Sequence, residues 1–169
     1  MTETTGEGGQ AVREGPLAVL TRPLAIAGGL LSVALALIVT VHVCLRWLLN
    51  SQVPGDIELV QIGTALTIFA FFPLCQSRRG NIVVDSFTTH MSPRGRALLD
   101  ALWDLVYAGM ALIIAWRLAV GAWDTMRSNT VSMILGLPTG WAVAACAAAA
   151  AFLGIVAMAT SLRLIRGRA

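Results

Sequence analysis

"LAIAGGLLSVALALIVTVHVCL", residues 24–45, is a run of 22 residues without an acidic or permanently charged side chain. As an α-helix it would be about 33 Å long, enough to cross a hydrocarbon core of about 30 Å. A secretory signal has a shorter apolar core followed by a small-residue cleavage site, whereas this run continues into "RWLLN". The run therefore predicts a helix over about 24–48 that remains in the membrane.

Three further apolar runs follow, and they predict spans over about 57–76, 97–122 and 139–162. Asp56, in "VPGD", is a candidate helix cap for the second span, and Pro93 is a candidate first helical residue of the third. The fourth span contains the block "AACAAAAA", whose small side chains favour close contact with another helix in lipid.

The composition agrees with a membrane protein that crosses the bilayer several times. The chain is 57% hydrophobic and 12% charged, whereas soluble domains are about 25% charged. The long apolar runs differ from the alternating strands of a barrel. The arginines do not form a long basic run interleaved with aromatic residues, so the sequence gives little support to nucleic-acid binding. We therefore expect an all-α membrane domain over 21–165 after a polar, disordered tail over 1–20.

The arginines predict which way the domain faces. Four spans place both termini on one side of the membrane, and nine arginines lie on that side against two on the other. Because positively charged loops stay in the cytoplasm, both termini and the connector 76–97 are predicted to be cytoplasmic. The nine are Arg13, Arg22, Arg78, Arg79, Arg94, Arg96, Arg163, Arg166 and Arg168, and the two are Arg46 and Arg127.

The connector between spans 2 and 3 is unlike the runs on either side. Its Val84, Phe87 and Met91 recur at helical spacing, so the pattern favours a short helix lying in the headgroup plane. The alternative is a simple loop whose arginines only fix the topology.

Several ionisable residues lie within the predicted spans or at their edges. Asp100 and Asp104 follow Arg96 at one-turn spacing, which predicts a structural salt bridge to Arg96 or to a partner protein. A proton or cation site is the alternative reading. At the opposite ends of spans 1 and 2, Arg46 and Glu58 are placed to pair across a short loop.

Arg117 would cost about 2.5–3.5 kcal/mol at the centre of a span. Because the predicted span ends near residue 122, the simplest interpretation is that its side chain reaches the headgroups. Trp47, Trp123 and Trp141 suit an aromatic belt, whereas Trp103 and Trp116 are predicted to pack against neighbouring helices.

No metal-ligand, nucleophile or phosphate-binding motif is present in the sequence, so we expect neither enzymatic activity nor a cofactor. His42 and His90 are predicted on opposite sides of the membrane, too far apart to share one haem.

Four segments occur in an order that identifies a family. They are "VHVCLRWLLN", "PGDIELVQIGTALTIFAFF", "RRGNIVVD" and "LGLPTGW". Together they resemble the small membrane subunit (DctQ-type) of tripartite ATP-independent periplasmic (TRAP) transporters. The family often has histidine where Asn81 stands, and we expect asparagine to serve there as a polar cap or interface contact.

The resemblance implies a non-catalytic subunit of the bacterial inner membrane that packs beside the scaffold of a large membrane subunit. That subunit would carry the solute, often an organic acid delivered by a periplasmic binding protein, in an ion-coupled step. Together with the charges discussed above, it gives seven structural or partner-interface candidates. They are Arg46, Glu58, Arg79, Asn81, Asp85, Asp100 and Asp104.

Two other functions are compatible with the residues alone. One is the membrane anchor of a redox enzyme, which would bind haem or quinone near His42 or His90. The other is a small autonomous transporter that works as an oligomer and lines its pore with Asp100, Asp104 and Arg117.

Overall fold

The computed structural model describes residues 16–49, 54–78 and 93–165, and within them the chain forms four α-helices. These are α1 (Pro16–Leu49), α2 (Asp56–Ser77), α3 (Pro93–Arg127) and α4 (Thr139–Ile165). All four are long and apolar enough to cross a membrane. The predicted all-α fold with four membrane-spanning helices is confirmed.

All four helices extend beyond their predicted spans, α1 and α3 by the most. α1 begins at Pro16, inside the segment predicted to be a polar tail, because proline is well tolerated in the first turn of a helix. α3 begins at Pro93 as predicted but continues to Arg127, five residues past the predicted end. α2 runs through Pro73 without ending there.

The helices pack in the order α1, α2, α4, α3, and the α3–α4 contact is the most extensive. Small residues form these contacts. A Cβ at Gly28 would lie 2.9 Å from the Ala70 Cβ, and one at Gly154 would lie 2.8 Å from Leu112 Cδ2. The alanine block of α4 buries Ala147 and Ala150. The close helix contact predicted for this block is therefore confirmed.

The buried side chains are mostly alanines, while many large apolar side chains point outward. Leu30 and Leu37 of α1, for example, are 69% and 61% exposed. Such surfaces suit lipid or another membrane protein, because neither penalises apolar contact.

The helices run antiparallel to their sequence neighbours, so the domain has two ends. At the terminal end, α1 and α3 begin and α2 and α4 end. At the hairpin end, the opposite helix ends meet the α3–α4 loop, residues 128–138. The connector containing the predicted interfacial helix, with Arg79, Asn81 and Asp85, lies outside the described residues.

Candidate functional site

A group of polar side chains joins the helices at the terminal end; we call it the terminal polar layer and define it as Thr21, Gln76, Ser77, Asp104 and Ser161. Three of them are essentially inaccessible to solvent: Thr21 is 0% exposed, and Gln76 and Ser161 are each 1% exposed. Buried polar groups of this kind are stable only when they are hydrogen-bonded.

Three contacts of the terminal polar layer each link two helices, whereas the Ser77 hydroxyl also donates to the Leu74 carbonyl of its own helix. The Gln76 side-chain amide of α2 donates to Asp104 Oδ1 of α3 at 3.0 Å. The Ser161 hydroxyl of α4 donates to the Ala101 carbonyl of α3 at 2.8 Å. The Thr21 and Ser77 hydroxyls, of α1 and α2, lie 3.5 Å apart. The layer therefore fixes the relative positions of all four helices at this end.

A second polar contact holds the hairpin end, and we call it the Glu58 clasp. The two carboxylate oxygens of Glu58 accept hydrogen bonds from the backbone amides of Ile134 and Leu135, each at 3.0 Å. The clasp ties the first turn of α2 to the α3–α4 loop. Glu58 therefore bonds to this loop and not to Arg46, with which the sequence predicted it to pair.

The loop is shaped to present those amides. Val131 and Pro138 form an isolated bridge, and the Ser132 amide donates to the Leu137 carbonyl at 2.9 Å. Gly136 has φ 64°, a conformation that favours glycine. On the α2 side, Gly55 has φ 91°, and a Cβ there would overlap the side chain of Leu135. Gly55, rather than Asp56, is the N-cap of α2.

The predicted site residues thus separate into two places. Asp104 belongs to the terminal polar layer, with Asp100 half-buried one turn earlier. Glu58 lies at the hairpin end, where Arg46 is exposed near the end of α1. The Arg96 side chain lies outside the described part of the structure, so its predicted bond to Asp100 stays a prediction.

An apolar groove of about 520 Å³ lies between α3 and α4, toward the hairpin end. Trp116 and Trp123 line this groove, and their side chains are 71% and 59% exposed.

Trp103 is also 64% exposed, so the prediction that Trp103 and Trp116 are packed against neighbouring helices is wrong. The α3–α4 contact is made by alanines instead. The groove is lined by Leu112, Ala115, Trp116, Ala119, Ala122, Trp123, Met126, Ala144, Ala147, Ala148 and Ala151.

The described residues contain no group of three or more histidine, cysteine, aspartate or glutamate side chains that could hold a metal ion. The groove lining has no charged side chain to hold a charged solute, and the indole N–H groups of Trp116 and Trp123 are its side-chain hydrogen-bond donors. The terminal polar layer instead holds the helices together, and the Glu58 clasp holds the α3–α4 loop to α2.

Comparison with protein families decides the identity. A family model for the DctQ component of tripartite ATP-independent periplasmic transporters matches residues 35–167. The chain belongs to the DctQ family. Searches of curated proteins and of solved structures gave no significant match. This DctQ protein is therefore a multi-pass membrane component of a TRAP transporter, as its four-segment resemblance implied.

Four residues of the DctQ protein's terminal polar layer were not singled out from sequence: Thr21, Gln76, Ser77 and Ser161. Gln76 carried a usable signal, since an amide at the end of an apolar run needs a partner, and Asp104 at similar depth offers one. Thr21 and Ser161 carried no such signal, because threonine and serine in a membrane helix also bond to their own backbone. Thr160 does so in this chain, donating to the Val156 carbonyl at 2.9 Å.

Proposed function

We propose that this DctQ protein is the non-catalytic small subunit of a TRAP-type secondary transporter in the bacterial inner membrane. It packs beside the scaffold of the large membrane subunit and stabilises it during ion-coupled solute uptake. The solute, an organic acid, is delivered by a periplasmic binding protein. The family match over residues 35–167 carries this proposal.

The distribution of polar groups supports the role of a scaffold rather than that of a solute path. Transporter sites use broken helices and polar groups that line a cavity near the bilayer midplane. Here Gln76 and Asp104 bond to each other between α2 and α3, and both Glu58 oxygens bond to loop amides. These groups hold the subunit's shape and offer little to a passing solute.

The exposed apolar surface supports a role in assembly. Only 11% of the most apolar window of α1 is buried within the subunit, against 39% for α4. A helix that is so little covered by its own chain has area available for a much larger membrane partner.

Co-purification tests the proposal. The DctQ protein, carrying an affinity tag, is co-expressed with the untagged large membrane subunit and solubilised in mild detergent. We expect the large subunit to be recovered with it, and we expect the isolated DctQ protein to bind no organic acid by calorimetry. Recovery of the DctQ protein alone, or solute binding by the isolated chain, would contradict the proposal.

A further inference from the structure

Arg117 lies within the membrane span Leu98–Arg127, and its side chain is exposed. Among residues 16–49, 54–78 and 93–165 it has no hydrogen-bond or ion-pair partner. In the same chain, Asp104 bonds to Gln76, and Glu58 bonds to two loop amides. Arg117 is therefore a charge inside a span that the described part of the subunit leaves unmatched.

Arg117 is the only charged residue of α3 between Asp104 and Asp124. The next charged residue along the helix is Asp124, seven residues and about 10.5 Å further along the axis. α3 continues past it to Arg127, whose guanidinium lies 5.0 Å from the centre of the Trp123 ring. Arg117 therefore lies about two turns from the next charge on its own helix.

Arg117 points away from the rest of the subunit. At 3.6 residues per turn it is rotated about 200° from Ala115, a buried residue of the α3–α4 contact. The residues that share the Arg117 side are large and exposed: Met110 at 61%, Ile113 at 65% and Val120 at 38%. We call Met110, Ile113, Arg117, Val120 and Gly121 the outer face of α3.

Gly121 is a second feature of the outer face that internal packing does not explain. Gly28, Gly63, Gly140 and Gly154 each lie where a Cβ would meet another helix within 3 Å. A Cβ at Gly121 would meet nothing within 4 Å, although glycine inside a helix is less favourable than alanine. Gly121 lies one turn after Arg117, so the same side of α3 combines an unmatched charge with a position where another backbone can approach closely.

We propose that the outer face of α3 docks a transmembrane helix of the large membrane subunit that carries an acidic side chain at the depth of Arg117. This inference rests on the proposed function. The planar guanidinium of Arg117 matches a carboxylate with two parallel hydrogen bonds, and Gly121 lets the partner backbone come close enough for them to form. A lipid phosphate would match the charge, but it has no backbone that could use the gap at Gly121.

The test combines four variants with the co-purification assay. Arg117→Leu removes the charge, Arg117→Lys keeps it, and Gly121→Leu fills the gap. Gly109→Leu is the matched control, because a Cβ at Gly109 also meets nothing within 4 Å on the same helix, but Gly109 is rotated about 120° from Gly121 and is not part of the outer face. The melting temperature of each variant, purified without the large subunit, shows whether it folds. A photo-crosslinking amino acid at Ile113 reports directly what covers the outer face.

We expect Arg117→Leu and Gly121→Leu to lower recovery of the large subunit by at least about tenfold, as loss of one partner of a buried charge pair does. Arg117→Lys should keep most of the recovery, Gly109→Leu should match the unaltered chain, and the Ile113 crosslink should join the two subunits. Undiminished recovery with either folded variant, or a crosslink to lipid alone, overturns the docking proposal. Failure of the unaltered chain to recover the large subunit is distinguishable, because it removes the proposed function itself.

Discussion

Gln76 and Asp104 illustrate how single residues stabilise this subunit. Gln76 is almost fully buried at the end of α2, and its amide donates to an Asp104 carboxylate oxygen on α3. A buried carboxylate needs such donors, because lipid and apolar side chains offer none. The bond also connects two helices that otherwise meet mainly through α4.

Replacing Gln76 with alanine should therefore destabilise the subunit. The change deletes one donor to Asp104 and leaves a small cavity, so we expect a loss of about 1–2 kcal/mol. Denaturant unfolding in detergent micelles, followed by circular dichroism, measures it. Gln61→Ala is the matched control, since Gln61 is an exposed glutamine on the same helix. Equal unfolding midpoints for the two variants would show that the Gln76–Asp104 bond contributes nothing.

Glu58→Ala tests the clasp at the hairpin end. Without the carboxylate, the Ile134 and Leu135 amides lose their acceptors. We expect hydrogen exchange at these amides to accelerate severalfold, measured by mass spectrometry.

Asp56→Ala is the control for the clasp, because the Asp56 carboxylate accepts from the adjacent Ile57 amide within its own helix. Unchanged exchange at Ile134 and Leu135 in Glu58→Ala would mean that the loop holds its shape without the clasp.

At the scale of the helices, hydropathy predicts which segments form spans, and the structure bears that out for all four. It predicts their ends less well, because helix bounds depend on local backbone geometry. α3, for example, continues until Asn129 adopts a φ of 49°. Contacts between side chains and partners that are distant in sequence could not be predicted either. Glu58 and Ile134 are 76 residues apart, and nothing in either segment predicts the other.

The tryptophans show a further limit at this scale. Trp103 and Trp116 have the size expected of packed residues, yet the inward side of α3 is made of alanines. In lipid, close approach between helices favours small side chains, so large ones are left facing outward. The inside–outside pattern of soluble proteins therefore gives the wrong expectation here.

Two adjacent glycines of α1 test the close packing of α1 on α2. A Cβ at Gly28 would come within 2.9 Å of the Ala70 Cβ, which its own backbone holds in place. We expect Gly28→Ala to lower stability by about 1–3 kcal/mol, as overpacking does. Gly29→Ala, which meets open space, should be neutral or stabilising by up to about 1 kcal/mol.

The readout for this pair is the denaturant midpoint of each variant in detergent. The result would count against close packing at this point if Gly28→Ala and Gly29→Ala unfolded alike.

At the scale of the whole molecule, the arginine distribution predicts that the hairpin end faces the periplasm. Met133, at the tip of the α3–α4 loop, is 100% exposed and offers a position for labelling. With Cys44, Cys75 and Cys146 changed to alanine, we expect Met133→Cys in intact spheroplasts to react with a membrane-impermeant maleimide. Reaction only after the membrane is permeabilised would reverse the predicted orientation.

The central claim is that this DctQ protein supports a transporter without itself forming the solute path. Ion-gradient-driven uptake of an organic acid into proteoliposomes tests it most directly, with the periplasmic binding protein supplied outside. The account predicts uptake when the DctQ protein and the large membrane subunit are reconstituted together, and none with the DctQ protein alone. Uptake by vesicles containing only the DctQ protein, or undiminished uptake when it is left out, would contradict the account.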